Sequence, residues 1–278
     1  MRFLGYLLLL APLVCLLTPN ACQAAPGHNI AVFGDSLADG VWAGLYDELK
    51  SNPADALYRD SEVGTGLTRP DYEDFVNGFA ASLDLDHVTD AVIMFGANDD
   101  EGLRDDNHKG YAFGSAGWVT AYQARMDMII SACQKHNIRV IWLGLPVMRA
   151  PDRNKDAVFL NSVLQQEAQT SGATFLPLED SFKGTDGAFA LYLPDSSKKL
   201  RQVRAPDGTH FTRYGYDLIA AQVIALIEAP PASPTPAQNQ SAKIAQTGAA
   251  AVPTATPGPA PAAPVKPASA APAVAHTQ

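Results

Sequence analysis

The sequence predicts an α/β domain in three layers, α/β/α, around a five-stranded parallel sheet. Short apolar runs of strand length alternate with longer stretches of helical spacing. The runs lack the polar alternation of a sheet with one wet face, so both faces are covered. Each run ends at a glycine or proline, where the chain must turn.

Asn29 to Phe33 is the first strand, stopped by Gly34. Leu37 to Lys50 has helical spacing, with Leu37, Val41, Leu45 and Leu49 on one stripe. Tyr58 to Val63 is a weaker strand, closed by Gly64-Thr65-Gly66. Pro70 opens a second helix carrying Tyr72, Phe75, Phe79 and Leu83, since proline fits a first turn. Ala91 to Phe95 is the clearest buried strand, and Trp118 to His136 a long amphipathic helix. Ile138 to Leu143 is the fourth strand, Asn154 to Thr170 a helix and Ala173 to Pro177 the fifth strand. A polar loop fills Asp180 to Pro206, and a helix from Thr212 to Ile227 closes the domain. Cys133, Met126 and Met128 in the long helix read as core, as do Trp118 and Trp42 by default.

The two ends read differently. Arg2, the apolar stretch Leu4 to Leu17 and the exit Ala21-Cys22-Gln23-Ala24-Ala25 have the order of an export signal over 1–24. A lipid-anchored product cut before Cys22 is the less favoured alternative, with Pro19 three residues earlier. The expected location is therefore periplasmic or secreted. Residues 229–278 hold 11 of the 21 prolines and no acid, with only Lys243 and Lys266 as cations. Proline at that density blocks helix propagation, and nothing large and apolar is present to form a core. A disordered tether is expected there, associated with the envelope or without function. The globular part is 28–228.

The domain keeps 17 cations against all 29 acids, a net charge of −12. That balance argues against a nucleic-acid partner, itself polyanionic. The mature chain has no apolar run long enough to span a bilayer. Three cysteines give no disulfide framework, no Cys/His cluster has zinc spacing, and no cofactor motif is present, so no cofactor and no metal are expected. The acidic stretch from Asp99 to His108 lacks an EF-hand register and reads as a solvated loop.

In a parallel sheet, right-handed crossovers bring all strand carboxyl ends to one edge, where ligands bind. The segments at that edge carry the chemistry. Ser36, in Gly34-Asp35-Ser36, sits at the turn from strand to helix. There its own N–H and the helix dipole would meet charge developing on an attacked carbonyl oxygen. A plain helix cap is the bland alternative. In Gly64-Thr65-Gly66 a glycine can turn its N–H into a site unobstructed, and Asn98 after the third strand offers an amide donor. In Asp207-Gly208-Thr209-His210 the spacing lets Asp207 fold back onto the imidazole, as a serine nucleophile's base requires. Arg149 and Arg204 could bind a substrate carboxylate or sugar hydroxyls, although such arginines more often hold loops.

Taken together, the four segments resemble those of the SGNH (GDSL-type) hydrolases over nearly all of residues 29 to 227. The runs from Val63 to Asp71, Trp142 to Arg149 and Arg204 to Phe211 are similar to a periplasmic subfamily catalogued as of unknown function. One departure is Ala38, where the fuller first block has serine. The resemblance implies a flavodoxin-like sheet and a catalytic triad of Ser36, Asp207 and His210. It also implies an oxyanion hole of Ser36, Gly66 and Asn98, and it favours Gly66 over Gly64.

The implied activity is that of a serine esterase on small acyl, chiefly acetyl, esters of envelope or exopolysaccharide sugars. An O-acetyltransferase would use the same residues. A metal-dependent phosphohydrolase using the acidic loop and a non-catalytic glycan-binding protein are the other classes.

Overall fold

A computed structural model describes residues 27–69, Phe79, 87–105 and 107–229. The chain divides into two units, Met1–Ala229 and Pro230–Gln278. The expected leader, the tail beyond Ala229 and, apart from Phe79, the helix expected from Pro70 to Leu83 lie outside the described residues.

Five strands form an all-parallel sheet: β1 (Asn29–Gly34), β2 (Ala56–Ser61), β3 (Asp90–Met94), β6 (Arg139–Leu143) and β7 (Thr174–Leu176), in the order β2-β1-β3-β6-β7. The apolar runs of the three central strands are buried on both faces: every residue of β3 is buried, as are Ile30 to Gly34 in β1 and Val140 to Leu143 in β6. β2 is an edge strand with Tyr58 and Arg59 in solvent, and it starts two residues before the expected Tyr58. Its register pairs Ala56 with Asn29 and Ser61 with Gly34, and Ala56 N–H donates to His28 O at 2.9 Å.

The described helices are Ser36–Leu49, Ala116–Lys135, Pro151–Thr170, the short Glu179–Phe182, and Arg213–Glu228. Three have identifiable starts. Asp35 caps the first through Leu37 N–H, Ser115 caps the second through Trp118 N–H, and Thr212 caps the last through Gly215 N–H. Pro151 stands in the first turn of the third. The helices Ser36–Leu49 and Arg213–Glu228 pack against each other, joining the first and last described helices.

Leu37, Val41, Leu45, Trp118, Met126 and Cys133 belong to the core, as expected. Met128 does not: it is 47% exposed. Two positions along a helix is a rotation of about 200°, so Met126 and Met128 cannot share a face. Two small antiparallel hairpins stand where loops were expected. β4 (Leu103–Arg104) pairs with β5 (Gly110–Tyr111), and β8 (Tyr192–Pro194) pairs with β9 (Leu200–Gln202).

Candidate active site

Strand order reverses between β1 and β3, so their carboxyl ends lie side by side at the place where ligands bind in such sheets. The chain leaves β1 through Gly34, whose φ of +141° a side-chain-bearing residue rarely adopts. A Cβ at Gly34 would also lie 2.0 Å from Met94 O, so only glycine lets the turn press against β3. Asp35 follows, its N–H donating to Met94 O at 3.2 Å. Because Asp35 is the cap, Ser36 becomes the first helical residue, at the positive end of the helix dipole.

His210 arrives from the far end of the domain. Arg204 and Phe211 form an antiparallel bridge at the base of a loop, and Ala205 N–H donates to His210 O at 2.8 Å. Inside that loop Asp207 Oδ1 accepts from the N–H groups of Thr209 (2.8 Å) and His210 (3.0 Å). Its Oδ2 lies 2.7 Å from His210 Nδ1, and His210 Nε2 lies 2.8 Å from Ser36 Oγ. Ser36, His210 and Asp207 are thus joined by two hydrogen bonds across 174 residues of sequence. The side chains of His210 and Asp207 are 36% and 50% exposed, so water reaches the pair.

Partial burial would raise the Asp207 pKa, but the N–H groups of Thr209 and His210 and the imidazole outweigh it and hold the carboxyl at about 2. An ionised Asp207 accepts from Nδ1–H, which leaves Nε2 bare to accept the Ser36 hydroxyl proton.

The segments that carry the expected donors are tied to each other. Asn98 stands past the end of β3, and its Nδ2 donates one N–H to Thr65 O at 2.8 Å. That bond ties the segment after β3 to the one after β2. Gly66 adjoins Thr65 and packs against Asp99: a Cβ at Gly66 would lie 2.3 Å from Asp99 Oδ1. The acidic stretch expected as a solvated loop is therefore divided. Asp99 is fully buried and Asp100 pairs with Arg153, whereas Asp105 holds the β4–β5 turn through the N–H groups of Asn107 and Lys109.

Both candidate arginines attach to the His210 loop. Arg204 is fully buried, with its guanidinium between the rings of Phe189 and Phe211 at 4.9 and 4.4 Å. It donates to the carbonyls of Val147 (2.7 Å), Thr209 (2.8 Å) and His210 (3.2 Å). Burial lowers its pKa to about 10, still a cation at neutral pH. Arg149 is exposed; its N–H donates to Gly208 O at 3.1 Å and its guanidinium to Pro206 O. Sequence reading missed the buried acceptor role of Asp99 and its partners Thr68 and Tyr122. They lie 31 and 23 residues away, with no local pattern to link them.

A family model described as a protein of unknown function, DUF459, matches residues 29–226. No curated protein matches the chain. Among solved structures, a lipase/acylhydrolase from Enterococcus faecalis is similar at 19% identity and a TM-score of 0.51, covering 72% of this chain and 95% of its own. A GDSL-like lipase from Bacteroides thetaiotaomicron is similar at 18% identity and a TM-score of 0.51, covering 72% of this chain and 87% of its own. Identities this low speak to the fold alone, and the order of the sheet agrees with it. The chain belongs to the DUF459 family, and its fold is that of the SGNH hydrolases.

Proposed function

We propose that the protein is an exported serine esterase that removes small acyl groups, chiefly acetyl, from envelope or exopolysaccharide sugars through an acyl-enzyme. The observation that carries this reading is the continuous hydrogen-bonded line from Asp207 through His210 to Ser36 Oγ, with links of 2.7 and 2.8 Å. Leader-like residues 1–24 support export, and the proline-rich 229–278 supports a tether to the envelope.

In the first step Ser36 Oγ bonds to the ester carbonyl carbon while its proton passes to His210 Nε2. The carbonyl oxygen, now anionic, is held by the N–H groups of Ser36 and Gly66 and by the Asn98 amide. The intermediate collapses, the carbon–oxygen bond to the alcohol breaks, and His210 returns its proton to the leaving oxygen. Water then attacks the acyl-enzyme by the same route, and Ser36 is released. Asp207 stays ionised throughout and stabilises the imidazolium. The solvent exposure of His210 and Asp207 gives water access to the acyl-enzyme.

Purified wild-type protein should label at Ser36 with a fluorophosphonate and hydrolyse p-nitrophenyl acetate. Ser36→Ala should lose both while keeping its melting temperature, with turnover down by roughly 10⁴-fold or more. Full turnover by a folded Ser36→Ala variant would overturn the assignment. Incubating acetylated glycan with an added sugar acceptor, followed by NMR, separates hydrolysis from transfer: acetyl appearing on the acceptor would identify an acyltransferase.

A further inference from the structure

Two carboxylates lie inside the site and take no part in the proton path. Asp35 and Asp99 are both fully buried, and neither forms an ion pair among the described residues. Unpaired buried acids are costly, and a position that needed only volume would be better filled by an apolar side chain. Burial lifts both pKa values, that of Asp35 to about 7, with the charge of Asp99 adding to the rise.

Their hydrogen bonds show what they supply. Asp35 Oδ1 accepts from Leu37 N–H at 2.9 Å, and Oδ2 accepts from Ala97 N–H at 3.0 Å. One carboxylate therefore spans the turn that carries Ser36 and the residue just before Asn98. Asp99 Oδ1 accepts from Thr68 N–H (2.9 Å) and Thr68 Oγ1–H (2.8 Å), and Oδ2 accepts from the Tyr122 hydroxyl at 2.7 Å. That second carboxylate joins Asn98 to the segment of Gly66 and anchors both to the helix Ala116–Lys135. We propose that Asp35 and Asp99 are positioning residues that fix the segments of Ser36, Asn98 and Gly66 at the spacing the oxyanion requires. The proposal rests on the ester-transfer reading for its catalytic consequence.

The two sites differ in what an amide could replace. Asp35 must accept from two N–H groups on two different oxygens. In Asp35→Asn one of those N–H groups would face an NH₂, so either the cap or the tie to Ala97 is lost. In Asp99→Asn the single amide oxygen can take the place of Oδ1 for both Thr68 donors. The Tyr122 hydroxyl can then rotate and accept from the new NH₂. Asp99→Ala has no such rescue.

The experiment measures kcat and KM on p-nitrophenyl acetate, melting temperature, and amide hydrogen exchange for the wild type, Asp35→Asn, Asp99→Asn and Asp99→Ala. A donor misplaced by about 1 Å costs on the order of 100-fold in rate. Asp35→Asn should lower kcat by about that factor with little change in KM, and speed exchange selectively at whichever of the Leu37 and Ala97 amides faces the new NH₂. Asp99→Ala should do the same with faster exchange at Thr68, while Asp99→Asn stays close to wild type. A folded Asp35→Asn with wild-type kcat and wild-type exchange at both the Leu37 and the Ala97 amides would overturn the proposal. So would Asp99→Asn falling as far as Asp99→Ala, or losses that track a uniform drop in stability. If Asp35→Asn does not fold, the contrast at Asp99 decides. If the wild type neither labels at Ser36 nor turns over, the esterase reading fails. The exchange rates at Leu37, Ala97 and Thr68 then still decide whether the ties exist.

Discussion

Replacing Arg204 by methionine tests whether this residue serves the fold or the substrate. The apolar stem would still fill the gap between Phe189 and Phe211, so the change removes donors with little loss of volume. Three carbonyls lose a partner, but unequally. His210 O keeps the Ala205 N–H, whereas the bond to Val147 O is buried and that to Thr209 O is part-buried. An unsatisfied buried acceptor costs about 1–3 kcal/mol, so two of them give about 2–6 kcal/mol. In a domain of this size that corresponds to a drop in melting temperature of roughly 5–15 °C. Guanidinium unfolding monitored by tryptophan fluorescence measures it. The loop loosened in this way also carries His210, so kcat should fall with KM little changed. A variant as stable as wild type, with a raised KM and normal kcat, would refute the argument and return Arg204 to substrate contact.

Three further outcomes are expected. Gly66→Ala should lose about 1–3 kcal/mol and most of its turnover, because the new Cβ meets an Asp99 oxygen that Thr68 and Tyr122 hold in place; thermal melts and kcat check it. The pKa of Asp35 is higher folded than unfolded, so the native state binds its proton more tightly. Its contribution is present below about pH 4 and is lost as pH rises through 7, up to about 4 kcal/mol. Wild-type stability should therefore fall between pH 4 and 7 by more than that of Asp35→Asn, and parallel denaturant curves for the two would disprove it. Burial holds the Cys133 thiol at about 12, so iodoacetamide at pH 8 should modify it only after unfolding, as read by mass spectrometry.

The central strands were legible in the sequence because burial on both faces leaves an uninterrupted apolar run, as in Ala91 to Phe95. β2 was placed two residues late because an edge strand exposes one side, which spoils that signal at Tyr58 and Arg59. The two hairpins were invisible, being two or three residues per strand and held by turns such as the one Asp195 closes through Ser197 and Lys199 N–H. The hydrogen-bonded contact of Ser36, His210 and Asp207 could be expected in advance because each residue lies in a short local motif. The buried partnership of Asp99 with Tyr122 could not, since a carboxylate among other acids looks solvated until folding supplies a hydroxyl from a distant helix.

The packing of the first helix on the last has a consequence for when the site comes into being. Ser36 is synthesised early, but its hydrogen-bonding imidazole lies just ahead of the helix Arg213–Glu228, which must dock before the loop is held. A growing chain, or one truncated before that helix, carries both the serine and the imidazole but lacks the helix whose docking holds the His210 loop. On the proposed ester chemistry, Ser36 is thus unarmed until almost the whole domain has been made, and assembly itself serves as its safety catch.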